Sequence, residues 1–328
     1  METTTDSINI PPIAEHVLRW GGSASIALLN PACQFFANPS IDGVIGYRTE
    51  SNCAVVYGDP VCTPKDMPHL AQAFQHYCQN QGWNTVYTTA SKHFAQWATR
   101  NICSASLQIG EELILDPDCD PKEGSKGRKL RNKISHAQHA GVLAEEYLLI
   151  DKTLEQALEQ AAAAWIQGRQ GPQIYLAQVN LFAERSGKRW FYACQNGKIV
   201  GGMLCNRLNA RQGWLINLLF TTPEAPLGTS EMLVVKGLET LRQENCRFVT
   251  CGVVPGKHLR EVSGLNFLTT WFAKAAFKVA KSFFHLNSRK MYWEKFHPQS
   301  EPSYLLFSHA RIRVREIVAV MHALNASL

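Results

Sequence analysis

The sequence predicts a mixed α/β protein, of the α+β kind, built as two domains. Three observations carry this. A chain of 328 residues exceeds what one hydrophobic core usually organises and suits two. Its composition, 45% hydrophobic and 18% charged, belongs to a globular protein rather than a disordered or fibrous chain. Strand-like and amphipathic helical runs follow one another in both halves, and an acid-free run of cations at 124–141 stands between them. The expected boundaries are residues 1–121, a basic linker helix at 122–141, and 142–328.

In the first half, residues 12–20 read as a short helix ended by Gly21 and Gly22. CQFFANP, GVIGYRTE and CAVVYGDPV read as successive strands. The second and third form a hairpin across the polar turn Thr49-Glu50-Ser51-Asn52. Asp66 is placed to cap a helix reaching Asn80, with Leu70, Phe74 and Tyr77 on one face. WNTVYTT then reads as a strand, SKHFAQWATRN as a helix and SLQIGEELIL as a strand, which together suit a mainly antiparallel sheet with helices against it.

The run at 124–141, GSKGRKLRNKISHAQHAG, contains Lys126, Arg128, Lys129, Arg131 and Lys133. Ser125 is expected to cap a helix and Gly141 to stop it. Leu130, Ile134 and Ala137, spaced by four and three, make a narrow apolar stripe. The expectation is a helix glued down along one face with its cations outward. That face suits a phosphate backbone; it equally suits a solvated lysine-rich surface. A net charge of +6 favours anionic partners.

In the second half, Thr153 is placed to cap TLEQALEQAAAAWIQG, a strong helix former. RWFYACQ, KIVGGMLCNRL and GWLINLLF read as a three-stranded meander, with Asn196-Gly197 as a hairpin turn. PLGTSEMLVVKGLETLRQE reads as a helix, CRFVTCGVV as a strand, and a polar loop containing His258 follows. This order (helix, meander, helix, strand, helix) is that of the acetyltransferase-like α/β fold, and the first half repeats it loosely. Two tandem acyl-CoA N-acyltransferase-like domains are therefore expected.

Acyl-CoA enzymes of that fold hold the donor pyrophosphate on backbone N–H groups of a glycine-rich turn opening the helix after the meander. Here that turn is Ala225-Pro226-Leu227-Gly228-Thr229-Ser230. It has one glycine and no flanking arginine, and Pro226 lacks an N–H. A donor without a pyrophosphate at that place fits better. The ten cysteines are scattered with no C-x-x-C pair, so no metal site is expected and the thiols read as reduced; no cofactor is expected either. The N-terminal residues lack the pattern of a secretory signal, and no run of about 18 apolar residues occurs. The expected location is the cytoplasm.

Residues 265–307 place Lys274, Lys278 and Lys281 on one helical face, near Trp271, Phe272, Phe277, Phe283 and Phe284. This suits a core helix with snorkelling lysines, or a surface meeting lipid headgroups or an RNA end. The stretch closes with Glu294-Lys295-Phe296-His297-Pro298-Gln299-Ser300-Glu301-Pro302-Ser303-Tyr304-Leu305. That segment resembles the closing K-F-x-P-x-x-x-P-x-Y-L signature of the cytosolic catalytic domain of phosphatidylglycerol lysyltransferases. Tyr57-Gly58-Asp59-Pro60-Val61 resembles the family's early G-D-P-V turn, and residues 127–141 are similar to its basic linker helix. Leu227-Gly228 with Glu231-Met232-Leu233 resembles its G-x-x-D/E-x-L helix start. The matches fall in the family's order and span nearly the whole chain.

The resemblance implies tandem acetyltransferase-like domains and an aminoacyl-tRNA donor whose acceptor stem lies on the basic helix, at Lys126, Arg128, Lys129, Arg131 and Lys133. It implies transfer of the aminoacyl group to a lipid hydroxyl at a membrane surface, such as that of phosphatidylglycerol, without the family's membrane-embedded part. The family's D-L-M-R motif on the third meander strand is replaced here by Asn217-Leu218-Leu219-Phe220, and the arginine before its final tyrosine by Ser303. Lysine and phosphatidylglycerol are therefore not carried over as such. Glu231 and His258 are the candidate general bases, each with a structural alternative: a first-turn acid facing the helix dipole, and an exposed loop histidine. Asp59, Asn217, Glu294, Lys295 and Tyr304 are candidate substrate-binding residues. The other readings are an acyl-CoA-dependent N-acyltransferase on a small molecule or peptide, and an inactive RNA- or membrane-binding module.

Overall fold

The structure, a computed structural model, describes residues 13–168, 181–182, 184–265, 270–271, 273–275, 277 and 287–323. Lys278, Lys281, Phe272, Phe283 and Phe284 of the basic-aromatic stretch lie outside the described residues. Packing divides the chain into two units. One comprises Met1–Ile109, Leu259–Lys274 and Ser303–Leu328; the other comprises Gly110–His258 and Ala275–Pro302. These units differ from the contiguous stretches expected, because the chain returns to its first unit twice. Apolar residues of the returning segments draw it back: Phe307 and Ile312 are buried in the first unit's core, and Leu259, Val262 and Leu305 pack against it.

The first unit begins with α1 (Ile13–Trp20), then β1 (Gln34–Ala37), β2 (Gly43–Glu50), β3 (Cys53–Tyr57) and β4 (Val61–Cys62). The β2–β3 turn is tighter than expected. Thr49 and Glu50 pair with Ala54 and Cys53, leaving Ser51 and Asn52 at φ of 51° and 59° as a two-residue turn of the kind that matches strand twist. Next come α2 (Met67–Asn80), β5 (Asn84–Ser91), α3 (Lys92–Asn101) and β6 (Ala105–Leu115). Asp66 sits at the α2 N-cap, but no side-chain capping bond forms; its carboxylate accepts from the Thr63 hydroxyl at 2.6 Å. Ser91 caps α3 through the Phe94 amide at 3.1 Å. β3 and β5 pair in parallel, whereas β1 with β2 and β2 with β3 pair antiparallel.

The second unit contains α4 (Arg128–His139), β7 (Val142–Glu146), α5 (Lys152–Gln167), β8 (Lys188–Gln195), β9 (Lys198–Leu208), β10 (Gly213–Thr221), α6 (Thr229–Gln243) and the start of β11 (Val249–Ser263). Its strands order as β11-β10-β9-β8-β7, with β10 parallel to β11 and the rest antiparallel. β9 is buried on both faces. Met203 and Cys205 meet Leu130, Ile134, Leu233 and Val234 of α4 and α6, while Leu204 meets Leu158 and Ala162 of α5. The period of two along β9 thus feeds two cores.

α5 is capped by Asp151, not Thr153: its carboxylate accepts from the Thr153 and Leu154 amides at 2.9 and 3.2 Å. The stripe expected on α4 is the face that packs, with Leu130, Ile134 and Ala137 all buried. Its start differs. Gly127, not Ser125, holds the N-cap, and a Cβ there would lie 2.2 Å from the Lys122 carbonyl. β11 runs on to Ser263 across Pro255-Gly256, where a loop was expected. Alternation decides this: His258 and Arg260 face outward while Leu259 turns inward.

Candidate active site

The side chains that converge in the second unit do so at the start of α6. Gly228 precedes it at φ 97°, and a Cβ there would fall 1.9 Å from the Lys133 carbonyl of α4. Thr229 closes the turn by donating its hydroxyl to the Pro226 carbonyl at 2.7 Å. Glycine alone satisfies both the left-handed backbone and the approach of α4. Gly228→Ala is expected to cost more than about 2 kcal/mol in urea denaturation, combining positive-φ strain with a clash against backbone.

One turn on, Glu231 is 4% exposed. Its Oε1 receives Lys133 Nζ of α4 at 2.9 Å and Lys295 Nζ at 2.6 Å, and Ser230 donates to its Oε2 at 2.9 Å. Lys295 follows the helix Asn287–Glu294, whose end is anchored by the buried Trp293 and Phe296. Its ammonium also lies 3.9 Å from the Tyr292 ring centroid, a cation–π contact. Tyr292 Oη is buried and lacks a well-formed hydrogen bond among the described residues.

Burial pushes the Glu231 carboxyl up, but the bonds from Lys295 and then Lys133 outweigh it and hold it at about 2. Lys295 is lowered by burial, against which Glu231 acts. A carboxylate so held is a weak base at neutral pH, so the geometry argues against Glu231 as the proton acceptor the sequence suggested. It fits a positioning carboxylate that fixes two ammonium groups. One carboxylate between two cations leaves a local excess of positive charge, suited to an anion or a developing oxyanion.

Lys126, Arg128 and Lys129 are exposed and form no ion pair among the described residues. Arg131 differs: its guanidinium donates to the Gly124 carbonyl at 2.9 Å and to the Lys122 carbonyl, tying down the segment before α4. Lys133 differs again, turned to Glu231. Asn217 is the residue at which the β9–β10 register shifts, and this bulge leaves it exposed on an otherwise buried stretch of β10. His258 is exposed on β11 itself. Glu294 is exposed, and its neighbour Lys295 reaches Glu231, so the pair forms no joint clamp.

Asp59 and Tyr304 belong to the first unit. Asp59 accepts the Ser91 amide at 2.9 Å and so ties the end of β3 to the start of α3. Tyr304, on β12 (Gln299–Phe307), donates to Glu261 at 2.6 Å; burial, then this carboxylate, raises it to about 12. Sequence reasoning missed Ser230 and Tyr292, and it counted Lys133 as a tRNA contact. The available signal was Lys133's place directly before Ile134 of the packed stripe, where a long side chain emerges half-buried.

No helix among the described residues is long and apolar enough to cross a membrane. The chain is similar to the lysylphosphatidylglycerol biosynthesis bifunctional protein LysX of Mycolicibacterium gilvum, 30% identical over 200 residues, covering 60% of this chain and 18% of that protein. It is 22% identical over 284 residues to the phosphatidylglycerol lysyltransferase of Staphylococcus epidermidis, covering 83% of this chain and 32% of that one. It thus spans about a third or less of these curated relatives. The structure of L-PGS from Bacillus licheniformis superposes with a TM-score of 0.79 at 17% identity over 96% of each chain, a likeness of fold. The family model for the C-terminal part of phosphatidylglycerol lysyltransferases matches residues 19–307, and the chain belongs to that family.

Proposed function

We propose that the chain is an aminoacyltransferase that moves an amino acid from aminoacyl-tRNA to a hydroxyl of a membrane lipid such as phosphatidylglycerol. Family membership supports the reaction class, and the relatives' names supply the lipid. The observation that carries the reading here is the Lys133–Glu231–Lys295 cluster, to which α4 contributes Lys133 while Arg128 and Lys129 of the same helix face solvent. One helix would then hold the donor's phosphates along its outer face and deliver a cation to the reacting end. The unit's meander, α6 and parallel β11 support an acetyltransferase-like reading of it.

In this reading the lipid hydroxyl attacks the ester carbonyl at the tRNA 3′ end. A C–O bond forms to the lipid, the bond to the ribose oxygen breaks, and the hydroxyl proton passes to the departing oxygen. Ester exchange is nearly balanced, so positioning and charge stabilisation by Lys295 and Lys133 can supply much of the rate. The acyl-CoA alternative is disfavoured where a pyrophosphate would be expected to sit: Pro226 offers no N–H and the Lys133 carbonyl closes on Gly228.

The test follows label from tRNA, charged with a mixture of labelled amino acids, into the organic phase of a lipid extract. Ribonuclease-sensitive label in lipid is the expected result. Label that remains on bound tRNA would reject the lipid acceptor, and absence of tRNA binding would reject the donor.

A further inference from the structure

The run Tyr292-Trp293-Glu294-Lys295-Phe296 spans the end of the helix Asn287–Glu294 and carries two pairs spaced by three. Residues at that spacing share a helix face. Trp293 and Phe296 are buried and take their face into the second unit's core. Tyr292 and Lys295 take the neighbouring one, which meets the start of α6 at Glu231. The Tyr292 ring is fixed from the side. Trp293 meets it edge-on with centroids 5.0 Å apart at 88°, and Phe296 is tilted against it at 5.9 Å. Over this fixed ring lies the Lys295 ammonium, 3.9 Å from the centroid.

That ammonium is under competing demands. Lys295 and Lys133 both donate to Glu231 Oε1, at 2.6 and 2.9 Å, while Ser230 takes Oε2. The groups facing Lys295 are thus Glu231 of α6, Lys133 of α4 and the Tyr292 ring of its own helix. Burial and the Lys133 charge favour loss of the Lys295 proton, and Glu231 opposes them. Two ammoniums on one oxygen repel, so a further attraction for one of them keeps both in place. A ring face supplies it, because the face is the negative end of the aromatic quadrupole and acts more strongly on a part-buried cation than on an exposed one. An aliphatic side chain would fill the same space without it. The hydroxyl is a separate matter. Tyr292 Oη is buried without a well-formed hydrogen bond among the described residues. Burial, then Glu231, push the phenol up, so the ring stays neutral while Lys295 titrates.

We propose that Tyr292 is a positioning residue whose ring face keeps the Lys295 ammonium charged and in place beside Lys133. The use of that charge at an aminoacyl ester rests on the proposed aminoacyltransferase reading; the contact with Lys295 does not. The test reads Lys295 directly. The full chain is trace-labelled with acetic anhydride, which reacts with neutral amines, across a pH series, and the peptide bearing Lys295 is followed by mass spectrometry. Tyr292→Leu is expected to weaken the proton affinity of Lys295 about tenfold. Tyr292→Phe, which keeps the ring, should hold it within about twofold of the parent. Exposed Lys198 serves as the internal control and should not change. In the label-transfer assay, kcat of Tyr292→Leu should fall about tenfold with KM for charged tRNA nearly constant, and its alkaline limb should move to lower pH.

An unmoved Lys295 titration in a folded Tyr292→Leu overturns the proposal. An equal change in Tyr292→Phe also overturns it and assigns the effect to the hydroxyl. Where Tyr292→Leu does not fold, phenylalanines with zero, one and three ring fluorines at position 292 keep the shape and weaken the face stepwise. A stepwise loss of Lys295 proton affinity is then expected, and no trend overturns the proposal. The two readings fail separately. A Lys295 titration that moves in a chain without transfer activity keeps the role of Tyr292 and removes the aminoacyltransferase reading; transfer with an unmoved titration does the reverse.

Discussion

Glu231→Gln is expected to destabilise the protein by about 3 kcal/mol and to lower transfer about 100-fold. The stability figure is the low end of the cost of leaving a buried charge unpaired, because half-buried Lys133 can turn partly to water. The activity loss follows from position: without the carboxylate, Lys133 and Lys295 repel, and Lys295 leaves its place over Tyr292. The pH dependence is specific. The carboxyl is held at about 2 in the folded protein against 4.5 for the free group. Its stabilisation is therefore complete above about 4.5 and lost as pH falls through about 2. In urea titrations the gap between the parent and Glu231→Gln should close over that window. Lys295 is already lowered by burial and supported by Glu231, so the variant should also lose activity at lower pH on the alkaline side. A gap that stays constant down to pH 2 would show that the ion cluster does not stabilise the fold.

Reversing Lys126, Arg128 and Lys129 together to Glu is expected to weaken tRNA binding by at least about 100-fold and leave the melting temperature unchanged. These three are the exposed members of the basic run whose side chains make no ion pair or hydrogen bond among the described residues; Arg131 and Lys133 are excluded because they hold the loop before α4 and the Glu231 cluster. Each phosphate contact adds about 0.7–0.9 to the slope of log affinity against log salt, so the variant's residual slope should be shallower by about 2–3. Filter binding at several salt concentrations measures it. An unaltered slope would remove α4 from the tRNA-binding surface, whether or not transfer persists. Arg131→Glu provides the contrast: it should lower stability by freeing the Gly124 and Lys122 carbonyls, a loss the triple variant should not show.

Legibility followed the range of the interactions. The α4 stripe was readable because Leu130, Ile134 and Ala137 repeat at the helical period, and all three are buried. The β8–β9 hairpin was readable because Asn196 and Gly197 accept the positive φ that its turn demands, 49° and 77°. Capping was readable only to within a few residues. Asp151 and Thr153 are both capping types, and the Tyr147 hydroxyl, by binding the Asp151 amide, fixes where α5 begins. Pro255-Gly256 reads as a strand end, yet β11 continues past it and Leu259 and Val262 pack against the first unit's core.

Local sequence specified most of the helices and the meander strands, the basic helix with its packed face, the acid at the start of α6 and the resemblance to the lysyltransferase family. These depend on neighbours a few residues apart, whose propensities and periodicity act before any tertiary contact forms. Only the tertiary structure decided that Lys133 and Lys295, 98 and 64 residues from Glu231, meet on its one carboxylate. Only it set Arg131 to bracing a loop. Such pairings follow from how α4 seats on Gly228 and how Trp293 and Phe296 lock into the core, and no local rule encodes that registry.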